Sequence, residues 1–213
     1  MASKVISHVR LCVLLLSCLS LTSCVESTKP LSNPDTCQGD DRLDGVWTRT
    51  DDLGETLVVV DAVTAHEKVD LGFPAGMRRA VLITRGKNGM GAPSVYLFFP
   101  TKIGDDSYLN FLHLAGDNDT ALRTGTLKWT AEIRNSHYAF YKYEVKAGNL
   151  VLYKGDQAAV RQAIQAGKIG GTVGEGLVVD SLTDSTENLV KFLASGGGSI
   201  FVRQGDEFKK LED

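Results

Sequence analysis

Cysteine is scarce in this chain. Four occur in 213 residues, Cys12, Cys18, Cys24 and Cys37, all near the N-terminus, which leaves no cysteine framework to staple the rest of the fold. Long apolar runs are missing too. The longest spans Leu11 to Leu21, about half of the roughly 20 residues that a membrane-crossing helix needs. Basic residues do not gather into a stripe, and the formal net charge is −3, which argues against nucleic acid as a partner. Several chemical signatures are also absent: no His-x-x-x-His for a metal, no Gly-x-Ser-x-Gly elbow for a nucleophile, no Gly-Lys-Ser/Thr for a phosphate. The reading is therefore of a protein that is not an enzyme, with no catalytic residues, no metal site and no cofactor.

What the N-terminus does have is an ordered sequence of signals. Lys4 and Arg10 precede the short apolar run, and small residues follow it at Thr22 and Ser23. A basic start, an apolar core and a small-residue cut site make a secretory signal. Leu21-Thr22-Ser23-Cys24 resembles the lipobox of bacterial lipoproteins. The resemblance implies removal of residues 1–23 and lipidation of Cys24, so that acyl chains supply the membrane attachment. Val25 stands where an Asp would favour inner-membrane retention in Gram-negative lipoproteins, which makes the outer membrane the expected location. Cleavage would leave 21 basic against 26 acidic residues, and Cys37 would remain as the one free thiol.

Residues 24–42 carry two prolines and many polar side chains, and read as a lipidated, flexible tether. A single β-rich domain is expected over 43–213. Its strand signals have period two: Thr56–Val60, Ala65–Leu71 as a more polar partner, Arg79–Thr84, Ser94–Phe99, Tyr108–Leu114, the alternation at Leu127, Trp129, Ala131 and Ile133, then Ala139–Val145. A hairpin turn at Gly148-Asn149 leads into Leu150–Tyr153. Leu177–Val179 and Ser199–Arg203 read as two more strands. Two short helices are expected in the C-terminal half. Asp156 caps the first, which presents Val160, Ala163 and Ile164; the Asp184–Glu187 capping box opens the second, which presents Leu189 and Leu193. The pattern is an antiparallel meander with no βα units.

Gly45-Val46-Trp47 at the head of this meander resembles the Gly-x-Trp of lipocalins and lipocalin-like bacterial proteins. The segments His137–Val145, Gly148–Leu150, Ile164–Ile169 and Thr183–Leu193, with Ser185-Thr-Glu-Asn-Leu-Val-Lys-Phe-Leu193, are similar to a set of uncharacterised bacterial lipoproteins. The resemblance covers most of residues 43–203. It implies a lipocalin-like antiparallel barrel or half-barrel in which Trp47 plugs the closed end, and it implies no chemistry. Residues 115–136 depart from a compact eight-strand barrel and leave the strand count open.

The remaining candidates each have a plain structural reading. His66, His113 and His137 lack partners at short metal-site spacings and read as structural. Asp117-Asn118-Asp119 lacks the Gly and Glu of a calcium loop and reads as a turn; the glycine-rich 170–176 reads as a flexible hairpin. Aromatics concentrate in the middle strands (Tyr96, Phe98, Phe99, Tyr108, Phe111, Trp129, Tyr138, Phe140, Tyr141 and Tyr143), where they either fill a core or line a small-ligand cavity. Two functions follow as expectations. The first is binding of a small apolar or amphipathic ligand by a lipid-anchored envelope protein. The second is a non-catalytic structural or protein-interaction role.

Overall fold

The computed structural model describes residues 24–51, 54–86, 89–174 and 180–211. The expected signal at 1–23 and strand at 177–179 lie outside the described residues, as do Glu175 and Gly176 of the glycine-rich stretch.

Eight strands close into an antiparallel, lipocalin-like barrel. They are β2 (Gly45–Asp51), β3 (Gly54–Ala62), β4 (Arg78–Gly86), β6 (Ser94–Ile103), β7 (Asp106–His113), β8 (His137–Lys146), β9 (Asn149–Tyr153) and β12 (Asp206–Lys210). The ring runs β8-β7-β6-β4-β3-β2-β12-β9 and returns to β8 through the pairs from Lys142↔Tyr153 to Lys146↔Asn149. Closure pairs every strand of the ring on both sides, with only the N-terminal half of β8 left unpaired by β9. Four short strands lie outside it: β1 (Val25–Ser27), β5 (Gly89–Met90), β10 (Gly171–Thr172) and β11 (Ser181–Leu182).

β12 closes the ring, and the expected last strand at 199–203 is not its source. That segment is a 3-10 turn over Gly197–Ile200 followed by one bridge from Phe201 to Gly155. Asp206-Glu-Phe-Lys-Lys has a single buried side chain, Phe208, and its strand form comes from pairing with β2 on one side and β9 on the other.

Five short helices accompany the barrel among the described residues, three more than expected. α1 (Ala65–Val69) replaces the polar strand expected at 65–71. Thr64 accepts from the Glu67 amide and Glu67 accepts from the Thr64 amide, and this reciprocal box satisfies donors that a strand would have left to a partner. α2 (Asp117–Arg123) begins at the expected turn Asp117–Asp119, and α3 (Ala131–Arg134) interrupts the alternation expected from Leu127 to Ile133. The excursion between β7 and β8 thus leaves the barrel intact: its apolar residues Leu122, Leu127 and Ile133 pack on the outside. α4 (Gln157–Gln165) and α5 (Thr186–Ala194) are the two helices expected, capped by Asp156 and Ser185.

Two cores result. One fills the closed half of the barrel with Leu43, Trp47, Val60, Phe98, Leu109, Tyr143, Leu150 and Phe208. The other lies outside β6, β7 and β8, where Leu97, Phe99, Tyr108, Leu112, Tyr138 and Phe140 meet Val160 of α4, Leu189 and Leu193 of α5, and Phe201. Burying each such large side chain is worth roughly 1.5–3 kcal/mol, so both faces of these three strands are stabilising.

Residues 24–42 pack against the barrel, through Val25 and Leu31 in this second core and Asp40 to Arg42 at one barrel end, where a flexible tether is expected. Val25 and Leu31 are fully buried, and Ser27 beside them is buried as well. β9 pairs only with the C-terminal half of β8, and β1 covers the other half through Val25↔Phe140, Glu26↔Ala139 and Ser27↔Tyr138. The Leu31 amide donates to Asn110 Oδ1 at 2.8 Å, and Asn110, itself fully buried, donates to Phe99 O and Thr101 Oγ1. The strap's polar composition concealed two apolar anchors and an unfilled sheet edge.

Candidate functional site

Alternation along the barrel strands sends every second side chain inward. The pairs Phe98↔Phe111 and Phe111↔Ala139 set one inward level, and Pro100↔Leu109 and Leu109↔Tyr141 the next. On the opposite wall Trp47 faces Val58, and Val58 faces Leu82. Of the aromatics singled out in the sequence, Tyr96, Phe98, Phe111, Tyr141 and Tyr143 therefore line the barrel. Phe99, Tyr108, Tyr138 and Phe140 face outward under the helices.

One end is sealed. Trp47 is fully buried there, its Nε1 donating to Leu43 O at 2.8 Å, with the Lys210 ammonium 5.4 Å from its ring centre. A 3-10 turn (Asp41–Leu43) lies across this end. Arg78, only 3 % exposed, holds Asp41 at 2.6 Å and Asp44 at 2.7 Å. The Tyr143 hydroxyl donates to Asp40 Oδ2 at 2.8 Å, and Arg42 pairs with the same carboxylate. The Arg42 guanidinium, with Tyr143 assisting, holds the Asp40 carboxyl below the usual carboxylate range. Burial, and then the anionic Asp40, push the Tyr143 phenol well up.

Toward the other end the lining becomes half-exposed: Val58, Leu82, Tyr96, Phe111, Tyr141 and Leu152 all retain accessible surface. Phe111 sits between three rings, with centres 5.0 Å from Phe98, 5.4 Å from Tyr141 and 6.1 Å from Tyr96. The rim carries charge. Arg49 bonds Asp206 at 2.6 Å and Asp51 at 3.1 Å, Lys154 bonds Asp206 at 2.7 Å, and the Arg49 guanidinium stands 6.0 Å from the Phe208 ring centre. Burial pushes the Tyr141 phenol strongly up, reinforced by Cys24, Tyr96 and Asp206 around it. The lining thus passes from a sealed, fully buried floor to a partly buried aromatic wall below an ion-paired rim. An apolar or amphipathic body fits such a lining, with its polar end left at the rim.

Cys24 lies immediately before β1, and the β1–β8 register carries it to the level of Tyr141. It is 8 % exposed, and burial, then Glu26, push its thiol up to about 11. Cys37 is half-buried, and its thiol is likewise pushed up to about 11 by burial. Neither cysteine forms a disulfide, and both thiols are held protonated at neutral pH, which disfavours thiolate chemistry.

His66 lies on α1, bonded to Asp70 at 2.6 Å. His113 and His137 face one another across β7 and β8, a juxtaposition that separations in sequence do not reveal. Among the described residues no three His, Cys, Asp or Glu side chains assemble into a metal cluster, and no helix is long and apolar enough to cross a membrane. A concavity of about 1100 Å³ lies between α4 and α5, lined by Lys168, Asp184, Asn188, Lys191 and Phe192. It opens to solvent, and Asp184 within it is already engaged by the Gly170 amide and Asn188. The barrel lining, richer in apolar and aromatic side chains, is the stronger candidate site. Comparison of the chain with protein-family models, curated proteins and solved structures gave no match.

Proposed function

We propose that the protein is a lipid-anchored, non-catalytic lipoprotein of the bacterial cell envelope whose barrel takes up a small apolar or amphipathic ligand. The observation that carries the ligand reading is the gradient along the inner wall, from the fully buried Trp47 to the half-exposed Tyr96, Phe111 and Tyr141. A barrel built only for stability gains most by filling both halves. Leaving aromatic surface accessible forgoes burial energy that a guest would restore. The anchor reading rests on Leu21–Cys24, and the absence of an Asp after Cys24 favours the outer membrane. It groups the chain with the bacterial lipoproteins that its Gly45-Val46-Trp47 and Ser185–Leu193 segments resemble. With Cys24 one residue from β1, an acylated Cys24 would hold the cup close to the bilayer, from which an apolar ligand partitions.

The test uses the full chain, expressed with its own N-terminus in a bacterial host, purified in detergent and extracted with organic solvent for mass spectrometry. A stoichiometric apolar compound is expected, and Val58→Trp, which fills the cup, should lose it while keeping the fold. The reading fails if no compound is found and an apolar fluorophore shows no saturable uptake that Val58→Trp removes. For the anchor, incorporation of labelled palmitate should vanish in Cys24→Ala.

One feature favours the second reading, an interaction lipoprotein. Val46, Val59, Val81 and Val95 form a single outward row across β2, β3, β4 and β6, extended at β12 by Leu211, which is 46 % exposed and bonds Val46. Leu57 and Ile83 stand in the next outward row. A row of this kind suits an envelope-protein partner. Val59→Glu together with Val81→Lys should then abolish a crosslinked product while sparing ligand uptake.

A further inference from the structure

His113 ends β7, His137 begins β8, and the two are directly opposed in the ladder. Their parity is that of the inward residues Phe111 and Ala139, which puts them at the open end of the cup. Both are exposed, and neither imidazole makes a hydrogen bond or ion pair with another described residue. His66 differs, being engaged by Asp70. Directly opposed residues of an antiparallel pair have Cβ atoms about 4.5–5.5 Å apart, close enough for two ring nitrogens to meet one ion at the roughly 2.0–2.1 Å of a zinc–imidazole bond.

We propose that His113 and His137 form a two-imidazole site for a divalent transition-metal ion, zinc being the probe of choice, at the mouth of the barrel. Imidazole is a donor that zinc, copper and nickel favour. No third His, Cys, Asp or Glu among the described residues joins the pair. A tetrahedral ion would therefore keep two positions for water or for a donor atom on a guest in the cup. The pair also closes the ends of the 23-residue excursion from Leu114 to Ser136, so a bound ion would cross-link the base of that loop. This site stands independently of the ligand reading, because the ion binds whether or not the cup is filled.

The experiment is calorimetric titration of the full chain with Zn²⁺, paired with NMR of the histidine ring signals. One ion per chain is expected, with the His113 and His137 signals moving together and that of His66 still. His113→Gln and His137→Gln should each weaken binding by roughly tenfold or more, since losing a ligand costs no less than losing its outer-shell support. His66→Gln should leave it unchanged. Both rings are exposed, so either variant should fold, which circular dichroism checks. The proposal is overturned if no saturable site is found, if only one ring responds, or if either single variant binds as the parent does.

Discussion

The Tyr143 hydroxyl, reaching from the sealed end of the barrel, donates to Asp40 at 2.8 Å. The bond joins a residue in the middle of the strongest strand signal to one in the most polar stretch of the N-terminal strap. It ties the floor of the cup to a segment that looks, by composition, like a linker.

The Arg42 pairing with Asp40, assisted by that bond, gives a pH dependence. The folded state holds the Asp40 carboxyl below its ordinary value, so its stabilisation is present above the unfolded pKa near 3.9. It is lost as the pH falls through the lower folded value. Asp40→Asn should lower the urea midpoint at neutral pH, and the gap to the parent should shrink once the medium is below about pH 4. A gap that stays constant across the range would mean the carboxylate has no such role.

Removing the strap should unfold more than a tether would. Val25 and Leu31 fill the outer core, and Leu31 satisfies the buried Asn110. Leu31→Ala should cost about 2–5 kcal/mol, read as a fall in denaturation midpoint with an unchanged slope. Stability equal to the parent would return the segment to tether status.

Trp47 carries the sealed end. Trp47→Ala removes a fully buried indole whose Nε1 satisfies Leu43 O, and about 3–5 kcal/mol of stability should go with it. Trp47→Phe should recover part of that through the ring while still leaving the carbonyl unpaired. Thermal unfolding of the pair separates packing from hydrogen bonding.

The β8–β9 hairpin turns at Ala147-Gly148, with φ of 49° and 79°, one residue before the expected Gly148-Asn149. Two successive positive φ values are those of a type I′ turn, for which Asn-Gly is favoured, whereas alanine is strained there. Ala147→Asn should stabilise by roughly 0.5–1 kcal/mol, raising the melting temperature by a few degrees. A lower melting temperature would contradict the turn geometry.

Most barrel strands were legible because a half-buried strand writes its burial into alternate residues, as Tyr141, Tyr143 and Val145 do on β8. The two C-terminal helices were legible through their caps. Less could be read where Leu97, Phe98 and Phe99 are all buried: strands covered on both faces carry apolar residues at consecutive positions, and the sequence then does not say which aromatics face the cup. Helix α1 was missed because its pattern is set by a capping box rather than an apolar stripe.

The sequence by itself determined an antiparallel β-rich chain, a hairpin within one residue of its turn, and the caps of α4 and α5; the lipoprotein reading of the N-terminus rests on sequence alone. These depend on local chemistry, namely alternation, positive φ and capping side chains. Only the tertiary structure decided that the ring closes, that β12 closes it, that β1 covers the N-terminal half of β8, and that His113 meets His137 across the excursion between their strands. Each of these joins segments far apart in the chain, and the partner that stabilises a polar strand or a strap is not encoded within either segment alone.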